Sequence, residues 1–274
     1  MPFLFAALYG LFSGFFDVLP VSSFAHHSIL QTVFGVNDAL HLFKFLVHIA
    51  SLAAVIFASM SSVVALMREQ RILSLPRRKM QNDRKLTYEL RFVKTAVVAI
   101  LFSTILVLLF NKNSQSLVKT GILCIINGVL VLVPEHLPYG NKTAKHMSRL
   151  DAIFFGAISG LGMISGISHI ATMQFYASLR GVDRSRSCNW VLLATIPALL
   201  VLSFFDLVGM FTAGLGTITF ISFLSYIFGA VLSFVGTFGG VTLIRFLSAK
   251  VGFAGFGYYS IGAGLLTFFL YLTV

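Results

Sequence analysis

Residues 10–28 read GLFSGFFDVLPVSSFAHHS, so an apolar stretch carries Asp17, Pro20, Ser22, Ser23, His26 and His27 within about a dozen positions. Pro20 cannot continue a helix without losing a hydrogen bond, and the serine pair after it suits the N-cap of a new one. Ser22 and His26, four apart, share one face of that second helix. Its first turn offers free amide donors and the positive end of the helix dipole, which together favour an anion. A second cluster has the same form. Ser165 and Gly166 make a break, Ser168 caps, and His169 and Thr172 follow. Two such helix starts converging would suit a phosphate or diphosphate headgroup. In a third cluster His41, Lys44 and His48 stand at i, i+3 and i+7, on one helix face. His41 and Lys44 could equally snorkel to an interface, whereas His48 lies deeper. Close helix packing accounts for Ser13, Gly14, Ser159 and Gly160. It does not account for Asp17, His26 and His169, because ionisable groups inside a bilayer are functional by default. Glu135, Asp151, Asp183 and Asp206 read as loop charges or interfacial caps.

The bilayer is implied by composition. The 274 residues are 57% hydrophobic and only 11% charged, against roughly 25% charged in soluble domains. Six stretches approach the roughly 20 apolar residues that a span needs: 40–66, 92–110, 120–133, 188–206, 216–241 and 252–274. The fold class expected is an all-α integral membrane protein. The net charge of +11 sits in short loops between these stretches. There it sets topology and meets anionic headgroups, so nucleic acid is not an expected partner. Arg68, Arg71, Arg77, Arg78, Lys79, Arg84, Lys85 and Arg91 place the loop 68–91 in the cytoplasm, together with 134–149 and 180–186. Residues 151–178 must then enter and leave on the cytoplasmic face, and residues 1–36 on the outer face, with both chain ends outside. No cleavable signal is expected at the N-terminus. Cys124 and Cys188 lack metal-ligand spacing and read as reduced packing residues.

Shifted by 146 positions, Ala6 falls on Ala152, Gly10 on Gly156, Ser13 on Ser159, Gly14 on Gly160 and Ser22 on Ser168. These matches lie on the two segments that topology makes hairpins, so the copies are expected to be inverted. The organisation expected is one membrane domain, 1–274, of two inverted repeats. These are 1–119 with re-entrant hairpin 1–36, and 151–274 with re-entrant hairpin 151–178.

LPVSSFAHH, RGVDR and LLATIPALL resemble segments of the undecaprenyl-pyrophosphate phosphatase family, the bacitracin-resistance type. The resemblance covers nearly the whole chain. It implies six spans with two inverted re-entrant hairpins in the bacterial inner membrane. The implied activity is hydrolysis of a polyprenyl diphosphate to the monophosphate, which recycles the lipid carrier of peptidoglycan synthesis. His26 falls on the family's catalytic histidine, with Asp17 orienting it and Ser22 beside it. Ser22 and Ser23 fall on the family's serine pair; Ser23, Lys44, His48, Gly166, Ser168 and His169 are the expected substrate-binding residues, and all of these site residues except Gly166 are expected to line one polar cavity with Asp17 and His26. The partners implied are the lipid and the membrane, with a homodimer allowed. A Mg or Ca cofactor is implied by the family.

The chain departs from the family's pattern. An acid or glutamine followed four residues later by glutamate becomes Ser13 and Asp17. The motif Pro-Gly-x-Ser-Arg-Ser-x-x-Thr keeps only Gly166 and Ser168 of its core, with His169 in place of arginine. A glutamate and a glutamine become Lys44 and His48. With Asp17 as the one remaining carboxylate, no metal ligand set is assigned, since hard cations favour several oxygens. Two functions are therefore carried. The whole-chain resemblance favours the phosphatase. The altered motifs favour a catalytically impaired paralogue that binds or translocates polyprenyl phosphates. A small-solute transporter would require the PVSS match to be accidental.

Overall fold

The computed structural model describes residues 3–36, 41–74, 84–110, 116–214 and 218–273, without the side chains of 84–86 and 213. Among these the regular structure is helical, with one isolated β-bridge between Lys142 and Val182. The helices are α1 Phe3–Phe16, α2 Ser23–Phe34, α3 His41–Ala58, α4 Met60–Leu73, α5 Arg84–Phe110, α6 Leu117–Leu132, α7 Arg149–Ala157, α8 His169–Leu179, α9 Arg184–Ala213, α10 Phe220–Lys250 and α11 Ala254–Thr273. Six stretches are long and apolar enough to cross a bilayer: His41–Ala58, Thr87–Phe110, Leu117–His136, Arg184–Thr212, Phe220–Lys250 and Ala254–Thr273. Their outward faces are apolar, as with Phe102, Phe110, Phe211 and Leu272, all more than half exposed. Such a surface is the lipid-facing side of a membrane protein, where lipid tails replace water.

The expected span 40–66 is divided, because α3 ends at Ala58 and α4 begins at Met60. Arg245 of α10 lies against the division. Its guanidinium donates to the Ala58 carbonyl at 2.7 Å and to Ser59 Oγ at 3.2 Å. The loop that sets the expected topology owes much of its charge to Arg77, Arg78 and Lys79, which lie outside the described residues.

Helices α1 and α2 form a hairpin whose break runs from Asp17 to Ser22, and α7 and α8 form another. In the second, α7 gives way at Ala157 to a 3₁₀ turn over Ile158–Met163 before the break around Gly166. Gly166 has φ +106°, a backbone region that side chains disfavour. The first hairpin is seated by small residues. A Cβ on Gly14 would meet the Ser233 carbonyl of α10, so α1 lies directly against that helix. Ion pairs gather away from the hairpin tips: Arg184 with Glu135 at 2.9 Å, Arg186 with Glu89 at 2.7 Å and Arg180 with Asp151 at 2.7 Å.

Candidate functional site

The two hairpin tips meet. Ser22 caps α2 through Ala25 N at 3.3 Å and also accepts from Gly166 N, across the junction, at 3.0 Å. Ser168 caps α8 through Ala171 N at 3.4 Å and donates back to the Leu19 carbonyl at 3.1 Å. Asn127 of α6 joins both tips. Its Nδ2 donates to the Pro20 carbonyl at 3.0 Å and its Oδ1 accepts from Ser168 N at 2.8 Å. Backbone groups released by the two breaks thus find partners inside an apolar body, where leaving them unpaired costs several kcal/mol. Ser22, Ser168 and Gly166 are committed to this junction.

Beside the junction lies a cavity of about 300 Å³ with His27, Ser28, His41, Lys44, His48, Ser165 and Asp206 on its walls. His48 and Lys44 come from one face of α3, one turn apart. The Nδ1 of His48 donates to Asp206 Oδ2 of α9 at 2.6 Å, and Asp206 Oδ1 lies 3.9 Å from His41 Nδ1. A carboxylate only accepts, so the proton on His48 is at Nδ1 and Nε2 is its free valence. His27 stacks on Tyr9, with ring centroids 4.1 Å apart, and its buried Nε2 has no hydrogen-bond partner among the described residues.

Behind His48, the Asp17 carboxyl sits among the hydroxyls of Ser23, Ser51 and Ser13. Asp17 is 4% exposed, and its Oδ2 and the Ser13 hydroxyl are buried without a hydrogen-bond partner among the described residues. Asp17, Ser23, Lys44 and His48 are thereby brought together.

The other two expected histidines face elsewhere. His26 Nδ1 donates to the Ser22 carbonyl at 2.7 Å, so its Nε2 accepts from the Tyr259 hydroxyl of α11 at 2.8 Å. Its ring lies against Phe16, centroids 3.9 Å apart, and both Phe16 and Tyr259 border an apolar groove between α1, α10 and α11. His169 pairs with Thr195 Oγ1 of α9 at 3.2 Å. One shared cavity for all the expected site residues is therefore not what the fold builds. His26 and His27 adjoin in sequence but diverge by about 100° around α2, and the packing of α2 turns His27 to the cavity.

Asp206 is not an interfacial cap but the carboxylate of the cavity, paired to His48 across 158 residues. Ser13 is more than a packing residue, since it faces Asp17. His27, Ser51, Asn127 and Tyr259 carried one visible signal at most, a polar group within an apolar run. The oxygen donors do not fit a resident divalent cation. Around Asp17 there is one carboxylate with three neutral hydroxyls, while Asp206 is held by an imidazole, and Mg and Ca take six or more oxygens.

The chain is similar over its length to proteins of known type. It is 29% identical over 230 residues to the undecaprenyl-diphosphatase of Carboxydothermus hydrogenoformans, covering 83% of each chain. To that of Alkaliphilus metalliredigens it is 26% identical over 264 residues, covering 93% of this chain and 94% of the other. To that of Treponema denticola it is 27% identical over 272 residues, covering 96% of each. The family model described as bacitracin resistance protein BacA matches residues 6–266. With that match spanning the hairpins, the tip junction and the cavity alike, the chain belongs to the BacA bacitracin-resistance family.

Proposed function

We propose that this protein is an undecaprenyl-diphosphate phosphatase of the bacterial inner membrane. It hydrolyses the terminal phosphoanhydride of the lipid, and the resulting monophosphate returns to cell-wall synthesis as carrier. One observation carries the reading: in a chain of this family, a cavity inside the apolar helical body gathers Lys44 and three imidazoles among walls that also include Phe24, Leu108, Met163 and Phe205. A diphosphate brings several negative charges, and cationic or proton-donating groups in a site of low dielectric stabilise them strongly. The long isoprenyl chain stays among the outward apolar faces.

In this reading both hairpins are re-entrant. Helix α1, with 14 residues, and α2, with 12, extend about 21 and 18 Å at 1.5 Å per residue, short of the ~30 Å hydrocarbon core. The packing pairs support inversion. Helix α1 packs along α10 as α7 packs along α5, α3 meets α10 as α9 meets α5, and α6 faces α11. This pairing favours a first repeat that runs through α6 and does not stop at 119. The cavity then opens to the outer leaflet, beside His41.

Lys44 and the imidazoles hold the headgroup, and Asp17 with its serines fixes the wall behind His48. The test is phosphate release from undecaprenyl diphosphate by the purified protein in detergent. Release with the monophosphate lipid as co-product supports the assignment. Binding of the lipid without release would move the assignment to a lipid-binding or translocating paralogue.

A further inference from the structure

Two histidines could serve a phosphatase here, and their surroundings differ in kind. Both are fixed in the same tautomer, with Nδ1 as the donor. His26 donates to a neutral carbonyl, and its Nε2 is capped by the Tyr259 hydroxyl. Proton uptake at His26 would reverse the Tyr259 hydrogen bond and create a cation between Phe16 and Tyr259, with a carbonyl, a hydroxyl and two aromatic faces beside it but no carboxylate bonded to the ring. His48 donates to a carboxylate at 2.6 Å, and it lines the cavity that also holds Lys44, His27 and His41. Proton uptake at its Nε2 makes an imidazolium already paired with Asp206. An aspartate behind Nδ1 holds the tautomer and stabilises the cation formed in the transition state, which is what a base that must accept a proton from water requires.

Resting on the phosphatase reading above, we infer that His48 is the general base of this protein, positioned by Asp206, with the role of activating water moved from the α2 histidine to α3. The His48 Nε2 takes a proton from a water molecule as the water oxygen bonds to the terminal phosphorus. The bond from that phosphorus to the bridging oxygen breaks, and its electron pair remains on the bridging oxygen, now part of undecaprenyl monophosphate. Inorganic phosphate is the second product, and the proton on His48 returns to solvent. Lys44, one turn earlier on the same face, and His27, which also lines this cavity, flank the phosphate. Helix α10 contributes Ser233, which is uncharged and bonded to Ser51 at 2.8 Å. Asp206 acts through His48 and is a positioning residue.

The experiment uses purified full-length protein in detergent with undecaprenyl diphosphate, comparing wild type, His48→Gln, His48→Ala, His26→Gln, Asp206→Asn and Asp206→Glu. Glutamine keeps a polar side chain that can still donate to Asp206 but cannot accept the proton. His48→Gln is expected to lose about 100-fold or more in kcat with KM changed by no more than about threefold. Asp206→Asn should lose about tenfold or more in kcat, and Asp206→Glu should recover part of that loss. His26→Gln should keep kcat within about tenfold of wild type, its loss reflecting packing. Added imidazole should restore turnover to His48→Ala, a gain that a purely structural histidine would not show, and this arm decides the matter if His48→Gln does not fold. A His48→Gln protein as active as wild type, or a folded His48→Ala protein that imidazole does not rescue, overturns the assignment of the base while leaving the phosphatase reading intact. A wild type that releases no phosphate overturns both.

Discussion

The Ser22 hydroxyl, N-cap of one hairpin's second helix, accepts a hydrogen bond at 3.0 Å from the backbone N–H of Gly166 at the tip of the other hairpin. Ser168 returns the favour through Leu19, and Asn127 bonds both tips. Asn127→Leu removes the shared partner and strands a buried N–H and a buried carbonyl, at a cost of about 1–3 kcal/mol for each group. Its thermal midpoint in detergent should fall clearly below wild type. An unchanged midpoint would show that the tips do not depend on this bridge.

Gly166 should tolerate no side chain. At φ +106° a Cβ is disfavoured by the backbone itself, and it would also stand 2.7 Å from the Thr120 carbonyl oxygen. Gly166→Ala is expected to cost about 1–3 kcal/mol in stability and to lower activity through displacement of Ser22. Normal melting and turnover in that variant would mean the tip relaxes freely.

Lys44 contributes charge and no bond-making step. Lys44→Ala should raise KM for undecaprenyl diphosphate about tenfold, equal to ~1.4 kcal/mol, and change kcat less. Lys44→Arg should recover most of the loss. Equal falls in kcat and kcat/KM would instead assign Lys44 to the transition state alone.

Removal of divalent cations is the next test. Because one carboxylate and three hydroxyls surround the Asp17 pocket, release of phosphate in EDTA should remain within about threefold of that in added magnesium or calcium. Complete loss in EDTA, restored by either ion, would show that substrate oxygens complete a cation site with Asp17.

Topology can be read by labelling. Ser74, the C-cap of α4, is exposed, and the native thiols Cys124 and Cys188 are buried. Ser74→Cys should react with an impermeant maleimide only from the cytoplasmic side. Reaction from outside would invert the orientation and place the cavity toward the inner leaflet.

The six spans and the two breaks were legible because they are local properties. Hydropathy summed over about 20 residues makes a span wherever it falls, and Pro20, Gly166 and the capping serines act on the backbone within a few positions. The family's histidine motif was legible for the same reason. The working arrangement of the site was not. His26 and His27 have the same side chain and adjoin in the chain, and only the packing of α2 against its neighbours decides that one meets Tyr259 and the other stacks on Tyr9 at the cavity wall. Asp206 reads as an end-of-span charge until α9 lies beside α3 and sets it 2.6 Å from His48. Arg245 likewise reaches the end of α3 from 187 positions away. A break or a span depends on neighbours along the chain, whereas a charge pair falls off with distance through space, and that distance exists only once the helices have packed.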